Sequence, residues 1–183
     1  QVNVIANEVV CNAEAISVLF TTENTVGDTA YAWTSDIEIG AGLTGAGDMS
    51  FTAANEGTDP LVATIIVTPT FTNEGVSCDG PTESFTITVN PSAQVDIPDD
   101  LVVCNTDTTN ILFTTQNTMG SPTYTWISNI DIGTGLLGTG NLSFTAVNTS
   151  TQPLVATIIV TPTFVNDGVS CEGSSESFTI TVN

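Results

Sequence analysis

Apolar and polar residues alternate with a period of two along most of this chain. Phe85, Ile87 and Val89 fall on one face of an extended segment, with Thr86 and Thr88 on the other. Tyr31 and Trp33 oppose Ala30, Ala32 and Thr34, and Met49, Phe51 and Ala53 alternate with Ser50, Thr52 and Ala54. No long window shows the i, i+3, i+4, i+7 spacing of an amphipathic helix, and Thr and Val, both strand formers, recur throughout. The pattern predicts about seven strands in the first ninety residues, near 2–5, 8–11, 16–22, 30–36, 48–55, 61–71 and 83–89. Turn chemistry separates them: Asn24-Thr-Val-Gly27, the series Gly40, Gly42, Gly45 and Gly47, and Asn73-Glu-Gly75. The sixth segment is apolar on both faces at Ile65-Ile66-Val67, which predicts a central strand with Pro69 at its edge or at a bulge.

The same pattern then repeats. Shifting residues 1–90 by 93 positions superposes them on 94–183 without a gap, and about 55 of the 90 aligned pairs are identical. Cys11 falls on Cys104, Trp33 on Trp126 and Cys78 on Cys171, and the stretch 61–70 recurs letter for letter at 154–163. A period this long suits an independently folding module rather than a solenoid repeat. The expected fold class is all-β: two tandem seven-stranded immunoglobulin-like β-sandwiches arranged end to end. The expected domains are 1–90 and 94–183, joined by a short, proline-bearing linker at 91–93. An odd number of antiparallel strands brings the chain in at one end of each module and out at the other. The expected shape is a rod of modules each roughly 35–45 Å long.

Charge changes what such a module can do. The chain has no Lys, Arg or His against 20 Asp and Glu, for a formal charge of −20. Nucleic acid is excluded as a partner, because phosphate contacts rely on cationic side chains. Attraction to an anionic membrane is excluded for the same reason, and no apolar stretch approaches the 18 residues of a membrane span. No ion pair can form except through the terminal amine, and Lys–Asn isopeptide crosslinks are impossible. Disorder does not follow from the acidity, because hydrophobic residues make up 40% of the chain and mean hydropathy is +0.26. Like charges repel, so stability is expected to rise with salt.

Four cysteines occur two per repeat. Of the three possible pairings, only Cys11 with Cys78 and Cys104 with Cys171 gives both copies the same bond, and that pairing is expected. Each loop of about 67 residues would contribute roughly 4 kcal/mol in the chain-entropy account. No C-x-x-C motif is present, and a histidine-free zinc site would need all four thiolates. Disulfides imply an oxidising, extracellular setting, and Gln1 is then not expected to be the natural start of the gene product.

Several motifs together resemble a known family: Cys-Asn at 11–12, Tyr-Ala-Trp-Thr at 31–34, the glycine loop at 39–47, Phe-Thr-Ala-x-Asn at 51–55, Ala-Thr-Ile-Ile-Val-Thr-Pro-Thr at 63–70, Cys-Asp-Gly at 78–80 and Phe-Thr-Ile-Thr-Val-Asn at 85–90. They are similar to the PKD-like repeats of Bacteroidota cell-surface adhesins, which include the giant gliding-motility adhesins of flavobacteria (SprB type) exported by type IX secretion. The resemblance spans both repeats. It departs after the tryptophan, where PKD domains carry a W-D-F-G-D-G-like stretch and this chain reads Trp-Thr-Ser-Asp-Ile. What the resemblance implies is an extracellular cell-surface stalk or filament that displays an adhesive part.

Candidate chemistry is sparse. Without His, Lys or Arg, catalysis would fall to paired carboxylates and backbone N–H groups, and no enzyme is expected. The glycine series has a GxGxxG-like spacing, but it lies between strands and lacks a cation for phosphate. Calcium is the better cofactor candidate, given abundant oxygen ligands. The densest cluster is Asp96, Asp99 and Asp100, although the first repeat reads Asn3, Asn7 and Glu8 nearby. Asp28-Thr-Ala and Asp107-Thr-Thr resemble the O-glycosylation motif of Bacteroidota, which makes Thr29 and Thr108 candidate glycan acceptors. Asn141-Leu-Ser143 and Asn148-Thr-Ser150 match the N-glycosylation pattern formally. Trp33 and Trp126 share a face with Tyr31 and Tyr124, which predicts a core role rather than sugar stacking.

Two functional readings follow. In the first, the chain is a structural segment of a long adhesin, whose partners are neighbouring repeats and, in the whole protein, surface polysaccharide or substratum. In the second, it is a polysaccharide- or protein-binding module that recognises ligand through its loops. Differences between the copies concentrate at 3–8, 13–18, 28–32, 54–59 and 81–82. Loops and strand ends vary while the expected core is nearly constant, as a spacer requires.

Overall fold

A computed structural model describes all residues, 1–183, and they form two compact units, Gln1–Pro91 and Ser92–Asn183. The first holds eight strands: β1 (Glu8–Cys11), β2 (Ala15–Val18), β3 (Asp28–Ser35), β4 (Thr44–Ala46), β5 (Met49–Thr52), β6 (Leu61–Asn73), β7 (Val76–Asp79) and β8 (Glu83–Asn90). The second repeats them as β9 (Leu101–Val103), β10 (Thr108–Ile111), β11 (Ser121–Ser128), β12 (Leu137–Thr139), β13 (Leu142–Thr145), β14 (Leu154–Asn166), β15 (Val169–Glu172) and β16 (Glu176–Val182). The chain has no helix.

In the first unit one sheet runs β1-β8-β6-β3-β4, with β7 also paired to β6, and β2 and β5 form a second, two-stranded sheet. The second unit has the same arrangement, with β10 and β13 as its small sheet. The core lies between the sheets. Ala63, Ile65 and Val67 of β6 interlock with Phe85, Ile87 and Val89 of β8, and Ile16, Val18 and Met49 come from the facing sheet. Ala156, Ile158, Val160, Phe178, Ile180 and Leu142 do the same in the second unit. Alternating inward positions on two packed sheets around a buried tryptophan make each unit an immunoglobulin-like β-sandwich.

The strand count differs from the expected seven. Residues 2–5 form no strand, although Val2 is buried and Asn3 hydrogen-bonds to Thr21. Two short strands carry no apolar alternation to announce them. β4 crosses the glycine series and pairs with β3, Gly45 facing Trp33. A Cβ on Gly45 would sit 2.2 Å from Cζ2 of Trp33, so only glycine lets this edge close over the indole. β7 follows a tight hairpin in which both Glu74 and Gly75 have positive φ. β6 is central, as its sequence predicts. Pro69 sits between the part of β6 paired with β8 and the part paired with β7, where its missing N–H interrupts no ladder.

The first and last strands of each unit pair in parallel: β1 with β8, and β9 with β16. This parallel pairing, rather than an odd strand count, places the arrival and departure of the chain at opposite ends of a unit.

The same register overturns the expected disulfides. Cys11 is level with Asn90, one residue beyond the Val89–Leu61 pair, whereas Cys78 is level with Phe71 at the far end of β6. About ten strand residues separate the two positions, roughly 33 Å, while a disulfide needs Cα atoms within about 7 Å. Cys104 and Cys171 are parted in the same way. Neither within-repeat bond forms. Cys78 and Cys104 are free and exposed, and Cys11 and Cys171 are disulfide-bonded.

Candidate functional site

The carboxylates were the main candidates for chemistry, and the fold engages several of them in its own hydrogen bonds. Asp100 Oδ1 accepts the Thr179 N–H at 2.7 Å, tying the start of β9 to β16. Asp96 pairs with Thr114 in an isolated bridge and accepts hydrogen bonds from Thr114 Oγ1 and Gln116 Nε2, both at 2.9 Å. Those two side-chain bonds hold its carboxyl below the usual aspartate range. Asp99 is exposed and lines a shallow depression with Pro98 and Leu101. The expected calcium cluster is therefore not assembled. Asp96 and Asp100 are pinned to different partners, and no group of three or more His, Cys, Asp or Glu is placed to hold a metal ion.

The repeat supplies an internal control for these acids. Asn7 stands where Asp100 does and accepts the Thr86 N–H at 2.8 Å. Asp36 Oδ1 accepts the Thr64 N–H at 2.7 Å, and Asn129 accepts the equivalent Thr157 N–H at 2.8 Å. Asp48 accepts the Phe20 N–H at 2.8 Å, and Asn141 accepts the Phe113 N–H at 3.0 Å. At each of these positions one copy has an acid and the other an amide, and the bond survives. The shared property is a side-chain oxygen aimed at a backbone N–H, so the negative charge is not what these positions require. A backbone donor also supplies the partial positive charge that a Lys or Arg would otherwise provide, as at Asp36, whose carboxyl is lowered chiefly by the Thr64 N–H.

The glycine series is built on the same principle. Glu38 Oε1 accepts the N–H groups of Gly40 and Gly42 at 2.7 and 2.9 Å, and Asp131 Oδ1 accepts those of Gly133 and Gly135 at 2.8 and 2.9 Å. Successive N–H groups of this kind form an anion nest. Here the anion is the loop's own carboxylate, which leaves no vacancy for a phosphate. A Cβ on Gly40 would sit 2.0 Å from the Thr52 carbonyl oxygen, which fixes glycine there.

A buried amide organises the end of each unit where the chain leaves. Asn55 is 2% exposed; its Nδ2 donates to the carbonyls of Asp59 and Val89 at 2.8 and 2.7 Å, and its Oδ1 accepts the Gly57 N–H. Asn148 repeats this with Gln152, Val182 and Ser150. Both N–H groups of Asn148 are therefore engaged, and its formal glycosylation motif presents no free amide. Sequence reasoning missed both asparagines and the backbone role of Asp36 and Asp48. The available signal was the interchange of Asp and Asn at equal positions of the two copies.

The other candidates lie apart. Thr29 is half-buried within β3, opposite Phe71, while Thr108 is exposed at the start of β10. Trp33 and Trp126 are 7% and 6% exposed, which seats both indoles in the cores. Their Nε1 atoms find no acceptor. Tyr31 packs against Phe20 and Tyr124 against Phe113, with ring centroids 5.7 Å apart in each case. Burial first and a nearby carboxylate second, Asp48 or Asp96, push both phenols above their ordinary range.

No family model and no curated protein matches this chain. Solved structures similar to it include the insect immune protein hemolin, at 13% identity and a TM-score of 0.38, over 99% of this chain and 45% of that one. The N-terminal Ig1-2 module of a Drosophila receptor protein tyrosine phosphatase is 13% identical, with a TM-score of 0.31, over 97% of this chain and 94% of that one. SGBP-B of a Bacteroides ovatus mixed-linkage glucan utilization locus, in complex with a heptasaccharide, is 13% identical, with a TM-score of 0.30, over 100% of this chain and 44% of that one. The chain thus spans less than half the length of hemolin and of the Bacteroides protein.

Proposed function

We propose that the chain is a structural repeat segment of a long extracellular bacterial surface adhesin or filament, a stalk that serves attachment or gliding motility. One observation carries this reading. Between the copies, most of the core and the backbone-directed hydrogen bonds are kept, down to interchangeable Asp and Asn, while the differences gather in loops and short strand segments and reach the core at Ile16, which is Thr109 in the second copy. Selection on a scaffold preserves geometry in this way; a binding site copied for avidity would keep its exposed side chains. The opposite placement of the two ends of each sandwich suits serial repetition. The PKD-like resemblance supports a bacterial cell surface and type IX export, and the disulfide suits an oxidising location. Its partners are then neighbouring repeats of the same polypeptide, with polysaccharide or substratum contacted elsewhere in the whole protein, and the segment is not an enzyme.

A glycan array probed with the two-repeat chain tests the reading. The expected result is no saturable binding to any polysaccharide. Saturable binding abolished by substitutions in the variable loops at 54–59 would replace the stalk with the ligand-binding alternative.

A further inference from the structure

The chain contains two kinds of cysteine, related within each kind by the 93-residue shift. Cys11 and Cys104 sit at the end of a unit where its last strand finishes, and Cys78 and Cys171 at the opposite end. One of each kind, Cys11 and Cys171, is oxidised. The remaining two, Cys104 and Cys78, are free and exposed. Neither can find a partner inside its own unit, because roughly 33 Å of strand separates the two kinds. Yet each stands at a position whose repeat counterpart is bonded.

We propose that Cys78 and Cys104 are crosslinking positions for further copies of the module, Cys104 of one copy joining Cys78 of the next. A link between unlike kinds has a direction and can be repeated without limit. The chemistry is thiol–disulfide exchange with a low-molecular-weight disulfide as oxidant. The Cys104 thiolate attacks one sulfur of that disulfide, breaks its S–S bond and releases one small thiolate. The Cys78 thiolate of a second copy then attacks the Cys104 sulfur, forms the protein S–S bond and expels the other small thiolate. Two protein thiols lose two electrons and two protons, and the small disulfide leaves as two thiols. The inference goes beyond the stalk reading, since such crosslinking would hold whatever the array attaches to.

The test uses the full chain and its Cys78→Ser and Cys104→Ser variants in a buffer of oxidised and reduced glutathione, read by non-reducing electrophoresis. The unaltered chain is expected to form a ladder. Each variant alone stays monomeric, and an equal mixture of the two gives a single dimer band. Peptides must be cut with an acid-specific protease, because the chain has no Lys or Arg for trypsin. Links in the ladder should be almost all Cys78–Cys104. Indiscriminate coupling would put only about half of them in that class. The proposal is overturned if either variant dimerises alone as readily as the mixture does. It is equally overturned if the unaltered chain stays monomeric with both thiols capped by glutathione. Peptide mapping of the unaltered chain decides the matter even if a serine variant folds poorly.

Discussion

Replacing Asn55 by alanine removes three hydrogen bonds at one buried point. The Asp59 carbonyl and the Gly57 N–H lie near the surface, where water can replace the lost partner, so each loss costs about 1 kcal/mol. The Val89 carbonyl is different. Val89 is fully buried, and its bond to Asn55 Nδ2 is 2.7 Å long. Losing a bond to so deeply buried an acceptor costs about 1–3 kcal/mol, which brings the expected destabilisation to about 4 kcal/mol. For a domain of this size that lowers the melting temperature by roughly 20 °C. Asn55→Asp is the discriminating variant. It keeps the acceptor for Gly57 but turns a carboxylate towards two carbonyl oxygens, so it should be worse than alanine. Urea unfolding followed by the fluorescence of Trp33 and Trp126 is the assay. The first unit's transition should move and the second's should stay, giving two resolved steps where the intact chain gives overlapping ones. A loss below about 0.5 kcal/mol for Asn55→Ala, or an aspartate variant milder than the alanine one, would refute the bookkeeping of this amide.

Exchanging Asp36, Asp48, Asp96 and Asp100 for asparagine changes the formal charge from −20 to −16 (four acids removed). It should leave the fold intact and reduce the salt dependence of the melting temperature; a collapse of structure by circular dichroism would show that charge itself is needed. Asp36 and Asp96 are held below the ordinary aspartate pKa. The stability they add is therefore present above the unfolded value of about 3.9 and lost as pH falls through the lower folded one. The difference in melting temperature between the intact chain and Asp36→Asn should thus shrink below about pH 4, and a constant difference would contradict this. Gly45→Ala and Gly138→Ala each drive a methyl to 2.2 Å from an indole carbon. Each should destabilise its own unit by about 3 kcal/mol and shift the tryptophan emission, whereas Gly75→Ala, with open space around it, should cost about 1 kcal/mol through its positive φ.

Strands that bury one face were legible from alternation. β3, β6 and β8 lie where Trp33, Ile65 and Phe85 place them, because burial of one face is what the period of two encodes. β4 and β7 were not legible. The first contains Gly45 held for its closeness to Trp33, and the second is exposed along its length, so backbone hydrogen bonds alone define them. The alternating 2–5 segment misled for the opposite reason: Val2 is buried, yet no strand runs beside it. The cysteine pairing failed on an assumption of symmetry. Spacing in sequence carries no register, and only the alignment of β1 with β8, and of β6 with both β7 and β8, reveals that Cys11 and Cys78 stand at opposite ends. The calcium triplet failed because proximity along the chain cannot say that Asp100 is claimed by the Thr179 N–H and Asp96 by the side chains of Thr114 and Gln116.

The parallel pairing of first and last strands has a mechanical meaning. A pull on the two ends of one unit draws β1 towards its start and β8 towards its finish, in opposite directions along the line of the strands. The hydrogen bonds between them are then loaded together in shear, and they must fail as a group rather than open one after another. Each such bond is worth only about 1 kcal/mol. What resists tension is the simultaneity that the geometry imposes, so four aligned residue pairs between Glu8–Cys11 and β8 can act as a clamp at the point where the load enters the fold.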